Sequence, residues 1–357
     1  MAGCGIFEFM SIRCYYPGIK KETMKIAIHH KKGSFTDRWI AYCKAKSIDY
    51  KLVNCYKSDI ISQLQDCHAL MWHFSQNSPK DFLFAKQLIF SIEAAGKKVF
   101  PDFHTAWHFD DKVGQKYLLE AIGAPLAPTW VFYDKPQAMN WAKSAHFPKV
   151  LKLRGGAGSQ NVQLVYSLKE AKQLIRKAFG RGFPVYDPLG SLKERWRKFR
   201  LGKTDVKDLL IGLVRFFIPP PYARAKGREK GYIYFQEFIP NNDHDIRVVV
   251  IGDKAFAIKR MVRKNDFRAS GGGGILYDKE LFNENDIRLA FEIHQKLKSQ
   301  CTAMDFVHKK EEPKIVEISY GFSPEGYDPC PGYWDKDLNW HEGKFDPYGW
   351  MVDAMAK

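Results

Sequence analysis

The sequence has no run approaching the eighteen or so apolar residues that span a bilayer, and its opening, MAGCGIFEFMSIRCYYPG, lacks the basic, apolar and small-residue order of a signal peptide. The expected location is therefore the cytoplasm. The seven cysteines (4, 14, 43, 55, 67, 301 and 330) are odd in number, scattered and without a C-x-x-C pair. This argues against a disulfide framework and against a zinc cluster, and reduced thiols are expected. There is no Walker A loop, no G-x-G-x-x-G fingerprint and no G-x-S-x-G elbow, so Ser159 is not read as a nucleophile. His104 and His108 stand four apart without the acid of a metalloprotease helix between them, which favours capping or packing. No internal repeat or low-complexity tract is present.

Acid is in deficit. The 357 residues hold 56 Lys and Arg against 40 Asp and Glu, a net charge of +16, which suggests a polyanionic neighbour: nucleic acid, an anionic membrane surface or phosphorylated substrates. Between Lys193 and Lys230 twelve basic residues face four acids, so this one segment carries +8, half of the excess. Within it VKDLLIGLVRFFI is apolar enough to dip into an interface, and its basic flanks suit anionic lipid headgroups or a lipid-pyrophosphate substrate. A plain insertion helix fits the same residues. Nucleic acid ranks lowest, because no reading motif or regular aromatic interleaving accompanies the charge.

From Met24 to Phe100 apolar runs alternate with helix-like stretches (KIAIHH, FTDRWIAYCKAKS, YKLVNC, SDIISQLQ, HALMWHF, KDFLFAKQLIFSIEAAG, KKVF), a β-α-β-α rhythm that predicts a small, mostly parallel sheet. Residues 1–23 precede it as an extension. A capped helix begins at DDK and stops at Gly123 and Pro125, and a further helix covers Gln137 to Lys143. The strand FPKVLKL then runs into the glycine-rich RGGAGSQNVQLVY, where backbone N–H groups can close on phosphate oxygens while Lys152 supplies a point charge; a purely structural glycine hairpin fits as well. A helix from Ser167 to Phe179, the basic segment and the strand YIYFQEFI follow, then two strands joined at Gly252-Asp253, the loop NDFRASGGGG and a helix from Asn285 to Ser299.

The stretch CTAMDFVHKKEEPKIVEIS sets two carboxylates inside apolar strand-like runs. Alternation places Ala303, Asp305 and Val307 on one face of the first strand, and Ile315, Glu317 and Ser319 on one face of the second, with HKKEEP as the turn. Asp305 and Glu317 then stand close together, where unrelieved like charge would force one to take up a proton. A divalent cation removes the conflict, and so do salt bridges to the plentiful lysines. Few hard oxygens on rigid strands suit magnesium that keeps waters and binds nucleotide phosphates.

In order along the chain, Lys112 in DDK, Lys152 before the glycine loop, FQEFI, D-I-R, D-F-R, A-x-D and E-x-S resemble the ATP-grasp superfamily, particularly the branch of the ribosomal-protein-S6 glutamate ligase. The resemblance spans about Met24 to Gly326. It implies an α/β protein: a Rossmann-like domain over 24–110, then a two-lobed ATP-grasp body over 111–326 with an α+β build and a basic insertion at about 181–230. It also implies ATP and Mg2+ as cofactors. By motif position Lys112, Lys152 and Gly156 would contact phosphates, while Gln236, Glu237, Phe238 and Ile239 would receive adenine and ribose, with Asp245 beside the nucleotide. His244, in NNDHDIR close to that nucleotide, is read by default as a surface-loop histidine, with contact to ribose or substrate as the alternative. Arg247, Arg260 and Arg268 would surround the transferred phosphoryl group, with Gly271 to Gly274 shaping the loop, and Asp305, Glu317 and Ser319 would hold magnesium. Ser319 departs from the family's usual asparagine at that place, a shorter and poorer ligand that weakens a two-metal assignment.

Beyond Gly326 the aromatic tail, 327–357, is read as a flap packed over the core, or else as a platform for sugar rings. This tail and the run REKGYIYFQEFIPNNDHDIR are similar to ATP-grasp proteins of surface-polysaccharide pathways. The activity implied is ligation of a carboxylate to an amine through an acyl phosphate, with small-molecule substrates, free or sugar-linked. A phosphotransferase acting on a hydroxyl, or a membrane or nucleic-acid binding protein with a degenerate ATP site, stand as alternatives, the last sustained by Ser319.

Overall fold

The computed structural model describes residues 24–156, 161–200, 202, 204–263, 266–269 and 274–356. The amino-terminal extension, Ser159 with its neighbours 157–160, and Gly271 to Gly273 lie outside the described residues. Three sheets carry the architecture. The first is wholly parallel, in the order Asp49–Val53, Lys25–His29, Ala69–Met71, Lys98–Phe100. Its helices begin where capping side chains allow: Ser34 accepts from the Thr36 amide ahead of Phe35–Ala45, and Ser78 accepts from the Asp81 amide ahead of Pro79–Ala94, whose first residue is a proline with no amide to leave unpaired.

The second sheet is antiparallel, in the order Thr129–Phe132, Ile233–Glu237, Lys149–Lys152, Val162–Val165, and packs on the helices Lys135–Ser144 and Leu168–Ala178. The third and largest runs Glu312–Ser319, Cys301–Lys309, His244–Ile251, Lys254–Met261, Gly332–Asp335, Trp340–Glu342, with Ile275–Leu276 also on Lys254–Met261. Its two faces bury different cores. Val248, Val250, Ala257, Met304 and Phe306 pack on the helix Glu284–Leu297, whereas Val249, Ile251, Phe256, Ile258 and Ala303 join the core of the first sheet. The second of these faces changes character along its length. Apolar at one end, it carries Asp245, Arg247, Arg260 and Asp305 at the other, where the adjoining lobe leaves a cleft.

Two sequence expectations need correction. The turn between the carboxylate strands is only Lys310 and Glu311, not HKKEEP, since both strands extend to meet it and Lys310 takes a positive φ of 58°. More consequentially, Ile315 is not on the face of Glu317. Asp305 pairs with Glu317 but Phe306 pairs with Ile315, so Val316 is an extra residue, a bulge, and Ile315 turns to the opposite, helix-packed core. The backbone of Ile315 is taken by another segment, its N–H donating to the Pro125 carbonyl at 2.9 Å and its carbonyl accepting from Ala127 at 2.9 Å. The tail adds two strands to the large sheet, and its helix Pro347–Ala356 sinks Tyr348, Met351, Val352 and Met355 into the amino-terminal core, so its aromatics are packing groups. The basic segment folds into the helices Pro188–Arg200, Val206–Phe217 and Pro221–Lys226.

Burial lowers the pKa of His29, His73, His108 and His294 and makes the fold acid-sensitive, and His108 and His294 show how. His108 is 2% exposed with no hydrogen-bond partner for either ring nitrogen, and His294, 6% exposed, lies 3.0 Å from the Thr302 hydroxyl. Burial pushes each pKa down to about 4. An unfolded imidazole takes up its proton near 6.5, so the unfolded chain binds more protons between about pH 6.5 and 4, and stability falls as pH drops through that window. Urea denaturation should show the pair costing about 4 kcal/mol between pH 7 and pH 5. His294→Gln, which bonds the same hydroxyls without titrating, should reduce the loss between pH 7 and pH 5 by about 2 kcal/mol; an unchanged slope would refute the assignment.

Candidate active site

The site begins with register. Directly opposed residues of an antiparallel pair share a face, and the large sheet opposes Asp245 to Arg260, Arg247 to Asp305, and Asp305 to Glu317. The charged groups therefore form one lattice. The Arg247 guanidinium grips both Asp305 oxygens, Arg260 holds both Asp245 oxygens at 2.6 and 2.7 Å, and the Nη2 of Arg260 that holds one of them also reaches Asp305 at 2.9 Å. Burial alone would raise the Asp305 pKa, but Arg247 and Arg260 hold its carboxyl well below the usual carboxylate range. Burial lifts the Asp245 carboxyl above its ordinary value against the pull of Arg260. The like-charge conflict expected for Asp305 and Glu317 is thus relieved by arginines on one side and, at Glu317, by Lys112, whose ammonium stands 3.1 Å from the carboxylate.

The second sheet brings the lysines. Lys152 closes the strand before the glycine loop, opposite Tyr234, and donates to the Val316 carbonyl at 2.9 Å. The bulge gives this bond its acceptor: Val316 lies off the strand register and lines the cleft with Glu317. Burial pushes the Lys152 pKa down to about 8, although Glu317 nearby pulls the other way. Lys112 also donates to the Gly156 carbonyl at 2.7 Å. Both predicted lysines therefore end at the Glu317 edge of the row.

The remaining predicted residues fall into place around them. Gly156, Gln236, Glu237, Phe238, Ile239 and Asp245 line a cavity of about 140 Å³ with Lys152, Asp305 and Glu317. Gln236 is buried, its amide donating to Thr129 at 3.1 Å, and Glu237 is paired with the buried Lys149. Arg268 also lines the cavity, but on the loop across from the row, where it pairs with Asp266 at 2.8 Å. Ser319 bonds Gly321, accepting from its N–H at 3.1 Å, and His244, at the cleft, stands 2.5 Å from Asp243. A second cavity, of about 1140 Å³, shares Val162, Phe267 and Arg268 with the first and runs along the basic insertion.

Sequence reasoning missed the clamp on the glycine loop. Asp110 accepts from the Gly156 amide at 2.7 Å and pairs with Lys226 at 2.6 Å, Asp111 caps its helix and pairs with Arg154 at 2.5 Å, and the Arg154 amide donates to Tyr232 at 2.6 Å. The only local signal was the acid pair of DDK, because the partners stand tens of residues away.

Opposed carboxylates with a hydroxyl nearby are a hard-oxygen set that fits a magnesium ion carrying water and phosphate ligands. Among the described residues no three His, Cys, Asp or Glu side chains gather as a self-sufficient metal cage.

Residues 225–327 match the family model of the RimK-like ATP-grasp domain. The α-aminoadipate–LysW ligase LysX of Saccharolobus solfataricus is 20% identical over 282 residues, 77% of this chain and 84% of that protein. Among solved structures, a RimK domain ATP-grasp protein from Sphaerobacter thermophilus aligns at TM-score 0.53 and 15% identity, covering 93% of this chain and all of that one. The D-alanine–D-alanine ligase of Bacillus anthracis, solved with ATP, aligns at TM-score 0.51 and 12% identity over 94% of this chain and 96% of that one. The chain has the ATP-grasp fold. Its domain over 225–327 is of the RimK-like branch.

The lattice predicts a strongly unequal mutant series. Asp245→Asn leaves the buried Arg260 with less counter-charge and should cost about 3 kcal/mol in urea denaturation, whereas pairing it with Arg260→Met should recover much of the loss. Additive losses would show that the two residues are not one unit.

Proposed function

We propose that the protein is an ATP- and magnesium-dependent ligase that joins a carboxylate to an amine through an acyl phosphate and releases ADP and phosphate. The observation that carries this reading is the opposition of Asp305 and Glu317 across two strands, with Lys112 and Lys152 from other elements converging on the same edge. Phosphoryl transfer asks little covalent work of a protein but much positioning and positive charge around the transferred oxygens.

In this reading Asp305, Glu317 and Ser319 hold magnesium, which neutralises phosphate charge. Lys112, Lys152 and Gly156 bind the phosphates, while Gln236 to Ile239 supply the adenine and ribose hinge, with Asp245 beside them. Arg247, Arg260 and Arg268 stabilise the equatorial oxygens and then the acyl phosphate. A substrate carboxylate oxygen takes the γ-phosphoryl group as ADP leaves; the amine then attacks the acyl carbon, phosphate departs, and no side-chain nucleophile takes part. Asp305 would hold the metal together with Glu317, and the Arg247 and Arg260 guanidinium groups that grip its carboxylate stand beside it. The relatives' ligase names support the reaction class. A sugar acid or an amino acid of surface-glycan modification is our favoured substrate, on the likeness of the run REKGYIYFQEFIPNNDHDIR to proteins of such pathways.

Product analysis with magnesium, ATP and pooled amino acids, amines and uronic acids should give ADP and phosphate only when an acid and an amine are both present, and Asp305→Asn should abolish turnover. ADP formed with a hydroxyl acceptor alone would replace the ligase by a phosphotransferase, and AMP would refute the acyl-phosphate route.

A further inference from the structure

The helix Val206–Phe217 is built inside out. Its polar and small positions Asp208 and Gly212, four apart, turn toward the helix Pro188–Arg200: Asp208 pairs with Arg195, and Gly212 is packed so closely that a Cβ there would sit 2.9 Å from both Leu192 and Arg195. The opposite stripe, Val206, Leu210, Leu213, Val214 and Phe217, is exposed, Phe217 by 88%. A surface helix of a globular protein arranges these two faces the other way round. Contiguous exposed apolar surface of this kind marks an interaction site.

We propose that this helical hairpin docks on an anionic lipid surface, with the apolar stripe entering the headgroup boundary. Charge selects the partner. The segment carries +8, with Lys193, Arg200, Lys207 and Arg224 of its three helices exposed, so a second copy of the chain would bring like charge against like, whereas acidic headgroups would neutralise it. The helix has 12 residues, and no helix among the described residues is long and apolar enough to cross a membrane, so it lies in the interface plane. The hairpin is held to the body by the helix Pro221–Lys226 and the Lys226–Asp110 pair. Its inner side lines the large cavity that meets the cleft at Phe267 and Arg268, so docking sets that cavity beside the lipid. The inference does not depend on the ligase reading.

Sedimentation of the full chain with phosphatidylcholine vesicles, with and without phosphatidylglycerol, tests it. Binding is expected to the anionic vesicles, weakened by salt, and lowered about tenfold by Leu213→Ser or Phe217→Ser, exposed positions whose change leaves the thermal midpoint in place. Absence of binding to the anionic vesicles, or binding indifferent to both substitutions, would overturn the proposal. So would light scattering that finds a dimer which the same substitutions dissolve.

Discussion

The structure turns on a lattice of buried charge, two aspartates and two arginines drawn from three adjacent strands. Burying ions costs several kcal/mol each unless every charge is answered with good geometry. Here the answers are bidentate, and the neighbours that supply them are fixed by strand register rather than by flexible loops. A strand slip of one residue would turn Asp245 and Arg247 into the helix-packed core and bring Ile246 and Val248 into the cleft. The lattice therefore holds the sheet in register, and the register in turn delivers Asp305 to Glu317.

The same sheet face explains how a polar site and a hydrophobic core coexist. At one end Val249, Ile251, Phe256 and Ile258 weld the large sheet to the amino-terminal core, with the tail helix closing the joint. At the other end the second sheet lays its own strand, ending in Lys152, against the bulge at Val316. The bulge does two jobs at once. It turns Ile315 into the apolar core and offers the Val316 carbonyl to the lysine, so a local irregularity couples the lobes.

Much of this was legible in the sequence. Period-two alternation located Asp305 and Glu317 on one face, and the parallel sheet announced itself in repeated short apolar runs followed by capped helices. The bulge was not legible, because alternation assumes a regular ladder, and the contacts that favour the extra residue come from Pro125, Ala127 and Lys152. The grip of Arg247 and Arg260 on the aspartates was hidden for a related reason: each arginine alone reads as a solvated surface charge, and only register reveals the pair. Nor could the inverted hairpin be read. Its apolar run was visible, but which side it turns to water depends on Gly212 admitting the first helix.

In the proposed function the carboxylate row receives a cation together with nucleotide phosphates. Titration calorimetry of ATP, with magnesium and with chelator, in the unaltered protein and in Glu317→Gln tests it without knowledge of either substrate. The unaltered protein should bind tightly and only with magnesium, and the variant should bind more weakly and largely without regard to the metal. Equal affinity with and without magnesium in the unaltered protein, or a variant that keeps the full magnesium dependence, would contradict it.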